Sequence, residues 1–304
     1  VLGYRLWDSH QDEPVGTCEE SPWDSDHLIV TRDRRSHLGG VVQCVERATG
    51  EVLWTVGPDL DALVDAFGEE IVMAADFSAR TEGYPDVEGD GDPELLVRFT
   101  HGLYYPTAIC LVDRDGNVRS HYASKGHVLS LAHEDIDGDG REEVVGGGTN
   151  NDPAYQGAQL FILDDRHAHG ATVDSLCNPW SPLPDSALVR VVLPKFPDPY
   201  MEQMTATRLA AWNLQIFRSP DGEARLSCEI GGPDPRQRMV VHFDDRLRPF
   251  GAEPSDKFRE VARAEWPDSL RHAPGPTDRV WLAEWLGTHR RFEAGHRPSG
   301  GAGR

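Results

Sequence analysis

The sequence predicts an all-β fold of repeated, propeller-like sheets, about five to seven four-stranded blades, with a short C-terminal helix. Two observations support this prediction: strand–turn–strand patterns recur along the chain, and two of them contain nearly identical acidic loops. The composition agrees, because 30 Gly and 22 Pro in 304 residues supply frequent turns. An apolar fraction of 38% also suits many half-buried strands better than a thick helical core.

Paired β-rich segments separated by short polar turns extend from the N-terminal region to about residue 250. Glycine in turns such as Asp-Gly and Thr-Gly adopts positive φ with little strain, which favours tight hairpins. The apolar residues 1–7 are interpreted as a first strand, with the end of a membrane-spanning segment as the alternative. The predicted hairpins join residues 40–46 to 52–54, 107–113 to 118–122 and 214–217 to 224–228, and further strands cover 158–164 and 238–243.

Two acidic segments repeat within this pattern, DVEGDGDPELLV at 86–97 and DIDGDGREEVVG at 135–146. We call residues Asp86–Glu94 the first acidic loop and residues Asp135–Glu143 the second acidic loop. In each loop, positions 1, 3 and 5 carry carboxylates, Gly at positions 4 and 6 permits tight winding, and position 9 is Glu. The predicted ligands are the side chains of Asp86, Glu88, Asp90, Glu94, Asp135, Asp137, Asp139 and Glu143, together with the backbone carbonyls of Asp92 and Arg141 at position 7.

Such a set of oxygen donors predicts one structural Ca²⁺ ion in each loop. Calcium takes about six to eight oxygen ligands in flexible geometry, whereas magnesium requires a tight octahedron and keeps its waters. Two carboxylates held close together repel by about 3–4 kcal/mol at an effective dielectric constant of ~20. Four carboxylates in one loop therefore need a cation or bound protons in a fold of marginal stability.

Two alternatives concern these loops. Asp76 can replace Asp86 as the first ligand of the first loop. An EF-hand shares the carboxylates at positions 1, 3 and 5 and the Gly at position 6, but it also needs Glu at position 12 and a helix on each side. Position 12 is Val97 in one loop and Gly146 in the other, and the flanking apolar runs are typical of strands. We therefore reject the EF-hand.

The two segments resemble the calcium loops of FG-GAP (VCBS-type) repeats, which occur in integrin α-chain propellers and in many bacterial surface proteins. The resemblance covers roughly residues 70–165. It implies a β-propeller that holds calcium in the hairpin loops between strands. Both copies differ from the family at position 9, where Glu94 and Glu143 replace the usual Asp.

The remainder of the chain divides by composition. We predict a propeller-like domain over residues 1–252, a helical C-terminal appendage over 253–294 and a disordered Gly-rich tail over 295–304. The helix of the appendage is expected at 255–270, because apolar residues recur there at helical spacing.

Charge and motifs narrow the class of function. A net charge of -21 without a basic stripe argues against binding to nucleic acid or anionic lipid. Five scattered cysteines without a C-x-x-C pair argue against a zinc site and a disulfide framework, and the cysteines are expected to be small buried hydrophobic residues. The sequence contains no run of 18 apolar residues, so it predicts no membrane-spanning helix in this chain. The sequence also contains no G-x-S-x-G, H-E-x-x-H or phosphate-binding Gly loop.

The sequence thus predicts a non-catalytic, calcium-stabilised binding or scaffold module with a protein or glycan ligand at a cell surface. An extracytoplasmic location is expected, because weak calcium sites fill where free calcium is high. The alternatives are a carbohydrate-active propeller enzyme, such as a polysaccharide lyase or hydrolase, and the sensor ectodomain of a membrane-anchored regulator.

Overall fold

The computed structural model describes residues 4–8, 13–32, 40–68, 77–102, 106–151, 157–171, 187–193, 210–231, 238–256 and 290–293. The chain forms two compact units. The first unit comprises residues 1–127, 140–142 and 164–186, and the second comprises residues 128–139, 143–163 and 187–304.

Two antiparallel sheets and a helix form the first unit. The first sheet is the meander β1 (Tyr4–Asp8), β2 (Glu13–Glu20), β3 (His27–Arg32), β4 (Val42–Glu46) and β5 (Val52–Val56). The second is the meander β6 (Phe77–Gly83), β7 (Leu95–His101), β8 (Pro106–Val112) and β9 (Val118–Lys125), and later in the chain β13 (Gly170–Ala171) pairs with β9 in parallel. Sequential antiparallel strands of this kind form the blades of propellers.

Helix α1 (Leu60–Phe67) connects the two sheets of the first unit, and the sequence analysis did not predict it. The Asp59 carboxylate caps it by accepting the N–H of Ala62 at 2.9 Å, and the N–H of Gly68 closes its last turn on the Val64 carbonyl. Its apolar face buries Phe67 in a core shared by both sheets. The signal was present as an Asp cap, apolar residues at helical spacing and a terminal Gly, but a helix of eight residues is easily mistaken for a strand.

Two further antiparallel sheets form the second unit. One contains β10 (Val128–Glu134), β11 (Glu143–Asn150), β12 (Gly157–Leu163), β14 (Val189–Val192) and β19 (Arg290–Glu293), in that order. The other is the meander β15 (Ala210–Arg218), β16 (Ala224–Gly231), β17 (Met239–Phe243) and β18 (Pro249–Pro254). Buried apolar side chains of both sheets form one core, which includes Leu160, Val191, Leu226 and Phe243.

The structure confirms the predicted all-β class and the predicted hairpins. Strands β4 and β5, β8 and β9, and β15 and β16 pair directly across their polar turns. The turn between β8 and β9 shows why, because the Asp113 carboxylate accepts the N–H groups of Asp115 and Asn117, and Gly116 adopts φ +85°. The described residues form four sheets, and the predicted count of five to seven blades stays a prediction.

Most of the C-terminal predictions fall on residues outside the described part of the chain. Residues 257–270 of the expected helix and the expected tail lie outside the described residues. Within the range predicted to be a helical appendage, Arg290–Glu293 instead forms β19, which pairs antiparallel with β14. The pairing is tertiary, since it satisfies backbone groups along the edge of β14, a strand distant in sequence.

The cysteine prediction is confirmed for the described residues. Cys18, Cys44, Cys110 and Cys228 are buried and free, and Cys177 lies outside the described residues. No helix in the described part of the chain has the length and apolarity needed to cross a membrane.

Candidate metal centre

Both acidic loops connect neighbouring antiparallel strands. The first acidic loop lies between β6 and β7, and the second lies between β10 and β11. Strands on both sides exclude the EF-hand, which requires helices there. The hairpin also determines where position 9 falls, since Glu143 is the first residue of β11 and Glu94 immediately precedes β7.

The second acidic loop brings three of its predicted ligands together. Ligand oxygens of Asp135, Asp137 and Glu143 all lie within 4.8 Å of one another. Positive φ at Gly138 and Gly140, +81° and +89°, allows the chain to wind tightly around them. The Asp135 carboxylate accepts the N–H of Gly138 at 2.7 Å, and the Asp137 carboxylate accepts the N–H of Asp139 at 3.1 Å.

Glu143 is the buried member of this cluster, with 5% of its surface exposed. Its Oε2 accepts the N–H of Ile136 at 2.7 Å, which directs the carboxylate under the loop. Burial raises the pKa of Glu143, the hydrogen bond from Ile136 opposes this, and the negative charges of Asp137, Asp139 and Asp135 add to it, so that the pKa rises from 4.5 to about 7. A cation bound at this position would stabilise the ionised carboxylate.

The first acidic loop repeats the position 9 contact. Glu94 is 5% exposed, and its Oε2 accepts the N–H of Val87 at 3.0 Å. Burial raises the pKa of Glu94 to about 7, assisted by the charges of Glu88 and Asp86. Each loop therefore has a buried glutamate at position 9, Glu94 in the first and Glu143 in the second. The FG-GAP repeats that the loops resemble usually have Asp at this position.

The remaining carboxylates of the first loop are arranged differently. Asp86 turns onto its own loop, where Oδ1 accepts the N–H groups of Gly89 and Asp90 and Oδ2 accepts the N–H of Gly91. Asp90 accepts the N–H of Asp92 at 2.9 Å. Within the described part of the chain, the set of three converging ligands is found in the second loop, and Asp86, Glu88, Asp90 and Glu94 do not form a comparable set.

The other predicted ligands have the following positions. Asp139 is exposed at the tip of the second loop and lies outside the converging set. The Arg141 guanidinium donates to the Asp165 carboxylate at 2.8 Å. The role predicted for the Arg141 backbone carbonyl as a ligand stays a prediction. The role predicted for the backbone carbonyl of Asp92 likewise stays a prediction, and Asp76 lies outside the described residues.

Arg218 is a neighbour of the second acidic loop that the sequence pattern did not predict. Its guanidinium donates to the backbone carbonyl of Asp135 and pairs with the Glu134 carboxylate at 3.2 Å. This positive charge on β15 partly offsets the negative charge at the entrance of the second loop. No local sequence pattern predicts this contact, because β15 is distant in sequence from the second acidic loop.

Aromatic side chains anchor the first acidic loop. The Trp23 indole N–H donates to the Pro93 carbonyl at 2.7 Å, one residue before Glu94. The Tyr84 hydroxyl, just before the loop, donates to the Glu19 carboxylate at 2.6 Å. Both contacts fix the ends of the loop against the first sheet.

The donor set fits calcium. All the converging atoms are carboxylate oxygens, which hard cations prefer, and the loops contain no histidine or cysteine that would favour zinc. Burial and the neighbouring carboxylates raise the pKa of the buried glutamate in each loop.

Comparisons with known proteins give fold likeness at low identity. No protein family matches the sequence, and no curated protein matches it. Among solved structures, the chain is similar to the Dos1 propeller at 12% identity and a TM-score of 0.45, covering 83% of this chain and 52% of that one. It is also similar to the hydrazine synthase of Kuenenia stuttgartiensis at 10% identity and a TM-score of 0.36, covering 96% and 81% of the two chains.

A third similar structure is the V. cholerae biofilm matrix protein Bap1, at 13% identity and a TM-score of 0.29, covering 84% of this chain and 39% of that one. The chain spans about half the length of the Dos1 propeller. The four sheets formed by the described residues therefore carry the description of the fold.

Proposed function

We propose that this chain is a non-catalytic binding or scaffold module of the propeller type, in which Ca²⁺ bound by the two acidic loops is part of the folded structure. The observation that supports this proposal is the convergence of Asp135, Asp137 and Glu143 within 4.8 Å at the turn of a hairpin. Three carboxylates at this distance repel, and a divalent cation converts that repulsion into attraction.

The ion would contribute folding free energy and would take no part in a reaction. Asp135, Asp137 and Glu143 would hold it in the second loop, and Asp86, Glu88, Asp90 and Glu94 would hold it in the first. In the first loop, Asp86 Oδ2 accepts one N–H and so retains a lone pair, whereas Oδ1 accepts two. A hairpin whose turn is tied by an ion presents its strands and neighbouring loops in one fixed arrangement, which suits recognition.

The proposed partner is a protein or a glycan, and the proposed location is extracytoplasmic. Calcium sites built from a few carboxylates of a surface loop bind in the range of about 10⁻⁴–10⁻³ M in extracellular modules. Such sites are filled where free calcium is millimolar. The strongly acidic sequence, with a net charge of -21, supports a partner other than nucleic acid.

Thermal unfolding tests the role of calcium. The protein is melted in excess calcium, in chelator, and in chelator with magnesium. At ~100-fold excess over Kd, one site adds about 2.7 kcal/mol. We expect calcium alone to raise Tm, and an unchanged Tm on chelation would refute structural calcium binding.

Matched variants locate the effect. Asp137→Asn removes a ligand of the second loop, whereas Asp115→Asn removes the same charge from the exposed β8–β9 turn, outside both loops. We expect the first change to reduce the gain from calcium and the second to leave it intact. Screening of the calcium-loaded protein against immobilised glycans and candidate surface proteins then separates the two classes of partner.

A further inference from the structure

Residues 140–142, near the end of the second acidic loop, contact the first acidic loop. Residues 140–142 belong to the first compact unit together with Asp86–Glu94. The N–H of Glu142 donates to the Asp86 carbonyl at 3.0 Å, and the N–H of Asp86 donates to Glu142 Oε2 at 3.1 Å. One residue thus holds the backbone of Asp86 from both sides.

A second contact accompanies this pair. A Cβ added at Gly89 would lie 2.8 Å from Cγ of Arg141 and 3.4 Å from the Gly140 carbonyl oxygen. The Arg141 guanidinium is tied to Asp165 at 2.8 Å, so its aliphatic stem is held where it lies against Gly89. Residues 140–142 therefore contact the first loop at position 1, Asp86, and at position 4, Gly89.

The residue held in this way organises the whole first loop. The Asp86 carboxylate accepts three N–H groups of its own loop, from Gly89, Asp90 and Gly91, at 2.8–3.1 Å. A shift of the Asp86 backbone would move the carboxylate and the three amides with it. Ion binding depends on oxygen positions to within a few tenths of an ångström.

We propose that Glu142 is a positioning residue of the first calcium loop, supplied by the chain of the second loop. The inference rests on the proposed calcium function. Its consequence is that the calcium affinity of the first loop depends on residues 140–142, which are distant in sequence and are not ligands of the first site.

Three substitutions of Glu142 distinguish its positioning of Asp86 from a direct effect of its negative charge on calcium affinity. Glu142→Gln keeps the reach and an acceptor oxygen but loses the charge, Glu142→Asp keeps the charge but is one carbon too short for the 3.1 Å bond, and Glu142→Ala removes both. Positioning predicts that Gln retains most of the affinity, whereas Asp and Ala each weaken it by roughly tenfold, the effect of losing a hydrogen bond to a charged group.

The measurement is a calcium titration of the full chain by calorimetry, in a background that carries Asp137→Asn and Asp139→Asn so that the first loop is observed alone. Terbium luminescence provides a second readout, because Trp23 lies against Pro93 of the first loop and can sensitise a bound terbium ion. Tm in chelator is recorded for each variant, so that a loss of fold is distinguished from a loss of affinity.

Two glycine substitutions test the contact between Gly89 and Arg141 independently. Gly89→Ala and Gly91→Ala both place a side chain at positive φ, +71° and +86°, but only the first meets Arg141, since nothing lies within 4 Å of the Cβ position at Gly91. We expect Gly89→Ala to weaken calcium binding at the first loop several-fold more than Gly91→Ala does.

The outcomes are distinct. No calcium heat and no terbium signal in the parent background would overturn the proposed function at the first loop itself. Normal binding in which Glu142→Asp matches the parent and Glu142→Gln matches Glu142→Ala would reduce Glu142 to a charge effect and overturn the positioning role. Equal affinities of all three variants and the parent would overturn it as well.

Discussion

Replacing Glu143 by Gln should stabilise the calcium-free protein and abolish most of the gain from calcium at the second loop. Gln keeps the size of Glu143 and an oxygen that can accept the Ile136 N–H, but it carries no charge. In the folded, calcium-free protein, burial raises the pKa of Glu143 from 4.5 to about 7. Above pH 7 the folded chain must keep this carboxylate ionised in an environment that disfavours the charge.

The size of the effect follows from the shift in pKa. A group whose pKa is raised in the folded state contributes stability below its unfolded pKa and loses that contribution as pH rises through its folded pKa. A rise from 4.5 to about 7 corresponds to at most about 3 kcal/mol, at 1.36 kcal/mol per pKa unit. We expect Glu143→Gln to be more stable than the parent in chelator at pH 8 by up to that amount, and equally stable at pH 4.

Urea unfolding in chelator and in calcium, at pH 4 and pH 8, measures this. In calcium at pH 8 the advantage of the variant should fall by about 2.7 kcal/mol, because the parent gains that amount from a site filled at 100 times Kd, whereas the variant lacks a ligand. The control is Glu51→Gln, an exposed glutamate in the β4–β5 turn, which should change nothing. A variant that is destabilised in chelator at both pH values, or that keeps the full gain from calcium, would show that Glu143 is a satisfied structural residue.

Three other predictions concern calcium, a turn and a cap. The difference between Tm in calcium and Tm in chelator should grow from pH 5 to pH 8, because protons compete with the ion for the buried glutamate of each loop, whose pKa is about 7; a pH-independent difference would contradict this. Gly116→Ala should destabilise the protein by about 1–3 kcal/mol more than Gly222→Ala in urea unfolding, because both residues have positive φ but only the first places a Cβ 2.5 Å from Trp54. Asp59→Ala should cost about 0.5–2 kcal/mol through loss of the α1 cap, and Asp61→Ala in the first turn should cost less; equal effects would mean that helix charge, and not the cap, is responsible.

Local chemistry allowed the loops to be placed correctly between strands. Asp-Gly turns between β-rich segments predicted β8 with β9 and β15 with β16, because the period of two and the positive φ of Gly are properties of a few adjacent residues. The same reasoning excluded the EF-hand, since position 12 lacked Glu. Local patterns did not predict helix α1, because eight residues give too few turns for a helical period to be distinguished from a short strand.

The sequence by itself determined which residues can carry negative charge toward an ion, and at what spacing, because that spacing is fixed along the chain. Only the tertiary structure decided which of them meet: Asp135, Asp137 and Glu143 converge, whereas Asp86 binds its own loop amides. It also decided that position 9 is buried in both loops, that Glu142 of the second loop bonds to Asp86 of the first, and that Arg218 reaches the second loop from β15. These features depend on burial and on contacts between distant segments, which a local pattern of residues does not specify.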